Sequence, residues 1–265
     1  MSDVKLPKSL KAVPFPGTSQ EDRFSTTQDL IAETSYRIVD PDSNSTWGYV
    51  AIDNTQRGPG LGGIRMVRDL SLNEISRLAR VMTMKNSSAC LPYGGAKAGL
   101  TLKSFELTDN FAIREELIEK LADCLFELSA YVPAPDMGTN ENDIQIIYNN
   151  HTRKLSTDKH SRGGAGRPVE KGGIPIDDWE LTAHGLFSAT QALESRDETL
   201  DLSKAKFIVQ GFGNVGAPTA RKLQESGATL VGASDINIAL WNPNGLDVQA
   251  LDKIRGNPGG LNNYP

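Results

Sequence analysis

Phe207-Ile-Val-Gln-Gly211-Phe-Gly213-Asn-Val-Gly216 carries the decision about the fold. A short apolar run leads into three glycines spaced G-x-G-x-x-G, and a helical pattern follows to about Glu225, with Gly227 as its stop. A second strand, Thr229 to Ala233, ends at Asp235, 19 residues past Gly216. In such a motif the first glycine makes a tight turn and the second lets backbone approach a pyrophosphate. The third packs helix on strand, and the helix N-terminus faces the anion. Gly211, Phe212, Gly213, Asn214, Val215 and Gly216 are the candidate cofactor cradle, and Asp235 the candidate acceptor for a ribose 2′-hydroxyl. The competing reading is a strand–helix corner without a ligand; the second strand and its carboxylate favour a Rossmann-type dinucleotide domain. An acid at that position points to NAD, and NADP stays open because an Asp followed by small polar residues does not always exclude a 2′-phosphate.

Upstream, β-branched and alternating residues predict strands at Tyr36–Asp40 and Trp47–Asp53, separated by a turn at Asp-Ser-Asn-Ser. Ser71 and Glu74 read as a capping box for a helix whose apolar face holds Leu72, Ile75, Leu78, Ala79 and Met82. A second amphipathic helix is expected from about Thr108 to Leu128, and a third, capped by Asp177 and Glu180, to about Leu193. Residues 1–30 read as a polar arm or short first element. Residues 57–65 are too glycine-rich for a regular interior, and residues 162–173 read as a loop and domain boundary. Strands alternating with helices make the chain α/β.

Composition excludes whole classes. A formal charge of −5 leaves no electrostatic footprint for nucleic acid, and no apolar run approaches the ~18 residues that span a bilayer. The N-terminus lacks a signal-peptide or transit-peptide pattern. Cys90 and Cys124 read as reduced, structural thiols of a cytoplasmic protein. His151, His160 and His184 show no metal-ligand spacing.

Two lysines flank a glycine-rich region. Lys85 ends Met82-Thr-Met-Lys85, and Lys97 lies in Leu91-Pro-Tyr-Gly-Gly-Ala-Lys97-Ala-Gly99; Asp136 follows in Val132-Pro-Ala-Pro-Asp136-Met-Gly-Thr-Asn140, a proline-stiffened turn. Two cations and a carboxylate suggest chemistry on an anionic substrate. Solvated surface lysines are the alternative, although apolar and glycine neighbours suit a desolvated lysine of lowered pKa.

These motifs, taken in order with Gly58-Pro-Gly-Leu-Gly62-Gly63-Ile-Arg65, resemble the glutamate/leucine/phenylalanine/valine dehydrogenase family from about residue 30 to the end. The tail Ala239-Leu-Trp-Asn-Pro-Asn-Gly-Leu-Asp247 is similar to glutamate dehydrogenases. The resemblance implies a substrate-binding and oligomerisation domain over 1–175 and a partial Rossmann domain over 176–265. It implies Lys97 as the catalytic lysine and Asp136 as the catalytic carboxylate. Lys85 would hold the substrate α-carboxylate, the Gly62–Gly63 backbone would line the site, and Thr182 would sit near the nicotinamide. The Thr182 segment departs from the family's Ala-Thr-Gly-x-Gly, with Ala183 and His184 after it. The implied activity is NAD(P)-dependent interconversion of an L-amino acid with a 2-oxo acid and ammonia, in a homo-oligomer, hexameric by analogy.

Leu61 stands where glutamate enzymes of the family carry a lysine for the side-chain carboxylate. Leucine cannot neutralise a buried carboxylate, which left unpaired costs several kcal/mol. Leu61 with Met66 is similar to the leucine and phenylalanine enzymes, so aliphatic substrates are favoured over glutamate. From Ala205 onward the expected content is two strands, one helix and an extension, so the chain is expected to be a fragment, inactive as it stands. A non-catalytic assembly subunit is the alternative.

Overall fold

The computed structural model describes residues 6–15, 32–102, 110–155 and 164–265. The expected arm over most of 1–30, the helix start at Thr108, the first residues of the 162–173 loop and His160 lie outside the described residues. The chain forms two compact units, Met1–Ile174 and Pro175–Pro265.

The first unit is built on a six-stranded mixed sheet. Its strands are β1 (Lys11–Pro14), β2 (Thr34–Val39), β3 (Thr46–Asn54), β4 (Gly60–Val67), β5 (Gly94–Thr101) and β6 (Tyr131–Pro135). Their order is β1-β2-β3-β5-β4-β6. Pairings are antiparallel from β1 to β5, while β4 runs parallel to both β5 and β6. One face carries α1 (Leu72–Ser88), and the other carries α2 (Phe111–Phe126) and α3 (Glu141–Leu155).

Side chains alternate between the faces with period two. Val50, Ile52, Ala96, Ala98, Leu100, Ile64 and Met66 pack on Leu117, Leu121, Leu125, Ile144 and Ile147 of α2 and α3. Ala51 packs on Ile75 and Ala79 of α1. Ser71 caps α1, its Oγ accepting the Glu74 amide at 3.2 Å. The Glu74 carboxylate does not complete the expected box, because Arg65 takes it.

Two glycine-rich segments differ from expectation. Residues 57–65 enter β4, and the glycine-rich stretch before Lys97 is β5, buried throughout but for its last residue. These strands need glycine because something already occupies the Cβ position. A Cβ on Gly62 would lie 1.6 Å from the Ala96 carbonyl oxygen, and one on Gly95 would lie 2.2 Å from both the amide nitrogen and Oγ1 of Thr83 in α1. Close backbone approach, not turning, explains the composition. The expected turn at Pro133 and Pro135 is likewise strand β6, at the sheet edge, where missing amides leave no ladder bond unmade.

The second unit has α4 (Leu181–Glu194), β7 (Lys206–Gln210), α5 (Gly216–Glu225), β8 (Thr229–Ser234), β9 (Ala239–Trp241) and α6 (Val248–Ile254). Its sheet runs β7-β8-β9, with β8 parallel to β7 and antiparallel to β9. β9 and α6 correct the expected count of two strands and one helix. β9 is only three residues long, too short to show a period, while Asp247 caps α6 by accepting the Gln249 and Ala250 amides. An apolar run such as Phe207-Ile-Val in β7 implies a buried strand. It alternates instead, with Ile208 70% exposed, because it is the outer strand of this sheet. Glu180 is the residue before α4, in left-handed conformation at φ 50°, but makes no side-chain cap. Its carboxylate is held by Arg221 and Lys222, and Asp177 accepts from Asn214; neither closes the predicted cap. No helix among the described residues is long and apolar enough to cross a membrane.

Candidate active site

Period two sets Leu61, Gly63 and Arg65 of β4 on the α1 side of the sheet, beside Lys97 of β5. At the C-terminal end of β6 the chain delivers Asp136 to the same place. Lys97 Nζ lies 2.8 Å from Asp136 Oδ2, and Arg65 Nε donates to that same oxygen at 2.9 Å. Arg65 is held from behind by Glu74, in the first turn of α1, at 2.7 Å. The Lys97 side chain is 7% exposed and that of Asp136 21%, so the pair opens to solvent through the carboxylate.

Gly63 makes this meeting possible. A Cβ there would fall 2.7 Å from Asp136 Cβ and 3.2 Å from Lys97 Nζ. Gly62 contributes its carbonyl to the buried Tyr131 hydroxyl at 2.8 Å. Lys85 is exposed in the last turn of α1. The next residue, buried Asn86, fixes that turn by donating to the carbonyls of Gly94 at 2.6 Å and Leu61 at 3.4 Å. Leu61 is half-buried. Met66 is 2% exposed and packs in the core on the opposite face from Leu61.

The charges are unequal. Burial disfavours the Lys97 ammonium, Asp136 opposes that effect, and Arg65 and Lys85 add like-charge repulsion; the balance lies below the ordinary lysine value. Burial pushes the Asp136 carboxyl up, but the hydrogen bonds and charges of Lys97 and Arg65 outweigh it and hold it below the usual range. Burial sets the direction for Lys97, and one carboxylate oxygen facing two cations sets it for Asp136. Such a site sets a lysine whose charged form is disfavoured beside a carboxylate whose charged form is favoured, and so suits acid–base chemistry.

Sequence reasoning passed over Arg65, although it stood in the quoted Gly-Gly-Ile-Arg segment; its alternation with Leu61 and Gly63 was the available signal. Thr139 was also missed. Its hydroxyl accepts from the Asp136 amide at 2.9 Å and donates to the Ile64 carbonyl at 2.7 Å. Among the described residues no three His, Cys, Asp or Glu side chains gather as a metal site. Burial pushes the Cys124 thiol up to about 12, which leaves it inert.

In the second unit Gly211 has φ +92°, and α5 starts at Gly216. Gly216 is packed, its would-be Cβ 2.1 Å from the Gly211 carbonyl oxygen, whereas Gly211 and Gly213 face open space. The open glycines are what a phosphate-approaching loop requires, so the segment fits a dinucleotide. Phe212 is buried under the loop and Val215 half-exposed. Asn214 donates to Asp177 at 3.3 Å and accepts from Arg255 at 3.2 Å. Asp235 Oδ1 accepts the amides of Asn237 at 2.7 Å and Ile238 at 2.9 Å, while Oδ2 accepts that of Leu261 at 2.9 Å. These amides, Leu261's first, hold its carboxyl below the usual range, and Oδ2 keeps a lone pair for a hydroxyl. Thr182 is exposed in the first turn of α4.

Family models match most of the chain: "Glu/Leu/Phe/Val dehydrogenase, dimerisation domain" over residues 30–153 and "Glutamate/Leucine/Phenylalanine/Valine dehydrogenase" over 172–265. The chain belongs to this family. A curated member, the NADP-specific glutamate dehydrogenase of Saccharolobus shibatae, is 32% identical over 82% of this chain and 51% of its own length. The hetero-hexameric glutamate dehydrogenase of Thermus thermophilus, solved in a Leu-bound form, aligns at 26% identity with TM-score 0.69. That match covers 98% of this chain and 56% of the other. The glutamate dehydrogenase of Peptoniphilus asaccharolyticus, at 22% identity and TM-score 0.64 over 96% of this chain and 60% of its own, shares the fold. The chain thus spans about half the length of the curated family member it matches.

The cradle makes one prediction directly. Gly213→Ala adds a methyl where no protein atom lies within 4 Å, so its effect on stability should stay within about 0.5 kcal/mol. The methyl would occupy the space a pyrophosphate approaches, weakening binding of a nicotinamide dinucleotide at least ~10-fold. Calorimetric titration with NAD beside a thermal melt checks both; unchanged affinity would show that the loop does not hold the cofactor.

Proposed function

We propose that the full-length protein is an NAD-dependent L-amino-acid dehydrogenase, converting an amino acid and water to a 2-oxo acid and ammonia, or the reverse. The observation that carries this reading is the buried Lys97–Asp136 contact backed by Arg65. Lys85 holds the substrate α-carboxylate and so fixes Cα. Asp136 accepts a proton from the α-ammonium, giving a neutral amine. When bound, a nicotinamide dinucleotide would supply the two-electron oxidant for Cα. Lys97, in the neutral form that burial favours, takes a proton from the water that adds to the resulting substrate iminium carbon. The added hydroxyl then gives its proton to the Lys97–Asp136 pair as the C=O forms and the C–N bond breaks. The departing amine takes a proton from the pair to leave as ammonia, and the two protons left over pass to solvent. Gly211 to Gly216 hold the pyrophosphate, Asp235 the ribose and Thr182 the nicotinamide side. The Asp235 charge favours NAD, while the NADP specificity of the Saccharolobus relative keeps NADP as the second reading. The dimerisation-domain match supports a homo-oligomer. NADH formation by the full-length protein across a panel of L-amino acids, followed by absorbance, is the test; no turnover with any of them would overturn the proposal in favour of a non-catalytic subunit.

Aliphatic substrates are proposed first. Among the described residues, Arg65 and Lys97 are engaged with carboxylates, while Lys85, close enough to repel the Lys97 charge, is assigned the α-carboxylate and Leu61 the substrate side chain. The names of the relatives favour glutamate as the second reading. In the full-length protein Leu61→Lys is expected to shift kcat/KM toward glutamate over leucine by about 2–4 kcal/mol, some 30- to 1000-fold. An unchanged ratio of the two rate constants would remove Leu61 from the pocket.

A further inference from the structure

Arg114 and Asp143 form an ion pair on the far side of the sheet from α1, with side chains 14% and 4% exposed. Arg114, in the first turn of α2, donates through Nε to Asp143 Oδ1 at 2.9 Å and through Nη2 to Oδ2 at 2.5 Å. The same Nη2 donates to the Gly138 carbonyl at 2.7 Å, and Asp143 Oδ2 accepts the Asn140 amide at 2.8 Å. A buried ion pair is often no more stabilising than apolar side chains of the same volume. What apolar side chains cannot do is hold a carbonyl and an amide at fixed points.

Those two groups flank Thr139 in the turn that delivers Asp136. Every residue of the turn is tied: Asp136 by its amide to Thr139, Met137 by its carbonyl to the Met66 amide, and Thr139 by its hydroxyl to Ile64. Gly138 and Asn140 are the two tied by the ion pair. Gly138 is left-handed at φ +82°, and a Cβ there would lie 2.0 Å from the Met66 carbonyl oxygen, so the turn has no slack toward β4. Five restraints on five residues exceed what chain reversal needs. They are what a carboxylate needs if one oxygen is to meet two cations at hydrogen-bond distance.

We propose that Arg114 and Asp143 are positioning residues for the Asp136 carboxylate, acting through the 136–140 turn; this rests on the reading of Asp136 as the proton-transferring acid. The charged groups facing that carboxylate are Lys97 from β5 and Arg65 from β4, with Glu74 of α1 behind Arg65. Tyr131 lies on its own strand, and Lys85 of α1 acts on Lys97. Loosening the turn lengthens the contacts to Lys97 and Arg65, the interactions that hold the Asp136 carboxyl down. Its titration then moves to higher pH, and the acid limb of the pH–rate profile moves with it.

The test compares Arg114→Lys, Arg114→Met and Asp143→Asn with the wild-type full-length protein. Lysine keeps the charge but cannot reach the Gly138 carbonyl and both carboxylate oxygens together, so charge alone should not rescue. Expected are a kcat loss of about 10- to 100-fold, the scale of a misplaced catalytic group, with KM for the amino acid little changed. The carbon-13 titration of the Asp136 carboxyl should move upward. Ile147→Val, a core change in α3, serves as the comparison; it should lower the melting temperature and leave that titration in place. Arg114→Lys is the variant to read if the methionine variant does not fold. An Asp136 titration at its wild-type position in Arg114→Lys and Asp143→Asn would overturn the inference. If the wild-type protein oxidises no amino acid, the proposed function fails while the titration still decides the positioning role.

Discussion

Replacing Lys97 with methionine in the full-length protein is expected to abolish amino-acid oxidation, with a fall in kcat of at least ~10³-fold, toward the upper end of what one positioned acid–base group supplies. Methionine keeps the length and much of the volume of the side chain, so packing against β4 changes little. Asp136 keeps its Arg65 bond at 2.9 Å, so no unpaired buried charge is created, and the stability loss should stay within the ~1–3 kcal/mol of a lost buried hydrogen bond. NAD affinity should be unchanged, because the fingerprint glycines lie in the other compact unit. The Asp136 carboxyl should titrate higher, since a hydrogen bond and a charge that hold it down are gone. The wild-type rate of deamination should rise with pH as Lys97 loses its proton, and level off below the ordinary lysine range, because burial leads the effects that lower its pKa. Stopped-flow and steady-state kinetics at several pH values, with NAD titration, check all of this. Retention of more than a tenth of wild-type kcat would remove Lys97 from the proton path.

Much of this was readable in the sequence, and the exceptions share causes. The fingerprint gave strand, turn, helix and second strand because each part has its own local chemistry: Gly211 for a left-handed turn, Gly216 for close packing, Gly227 for the helix stop. The β2–β3 hairpin and the start of α1 were legible for the same reason. The β4 and β5 strands were not, because their glycines answer to neighbours distant in sequence. Gly62 answers to Ala96 and Gly95 to Thr83, and a local pattern of glycines looks the same whether the chain turns or is crowded. Burial failed where it depends on sheet position: Ile208 lies on an outer strand. Lys97 and Asp136 were named from motif resemblance, while Arg65 needed the geometry. Only the fold shows that it shares an oxygen with Lys97. Glu180 and Glu74 were assigned to caps by local spacing, and cations from other elements took them.

Gly62→Ala is the substitution expected to damage the fold most. Its Cβ would stand 1.6 Å from the Ala96 carbonyl oxygen and 2.5 Å from the Ala96 carbonyl carbon, both backbone atoms of the neighbouring strand, which no rotamer change can move. Relief requires β4 and β5 to part by about 1.5–2 Å, given ordinary carbon–oxygen contacts of roughly 3.3–3.6 Å. That breaks ladder bonds in the middle of the sheet and opens the core formed by Ile64, Met66, Ala96 and Ala98. Losing several backbone bonds at about 1 kcal/mol each, with some packing, gives a cost of about 4 kcal/mol or more, a large share of the 5–15 kcal/mol typical of a domain. Gly63→Ala differs in kind. Its nearest contacts are Asp136 Cβ and the Pro135 carbonyl oxygen, each at 2.7 Å, one just past and one at the end of edge strand β6, which can shift outward. It should cost less stability and more activity, by separating Lys97 from Asp136. Denaturant melts and kcat measured on both variants give the comparison. A Gly62→Ala protein as stable as wild type would mean that β4 and β5 do not pair in the register Leu61↔Gly95, and the face shared by Arg65 and Lys97 would fall with it.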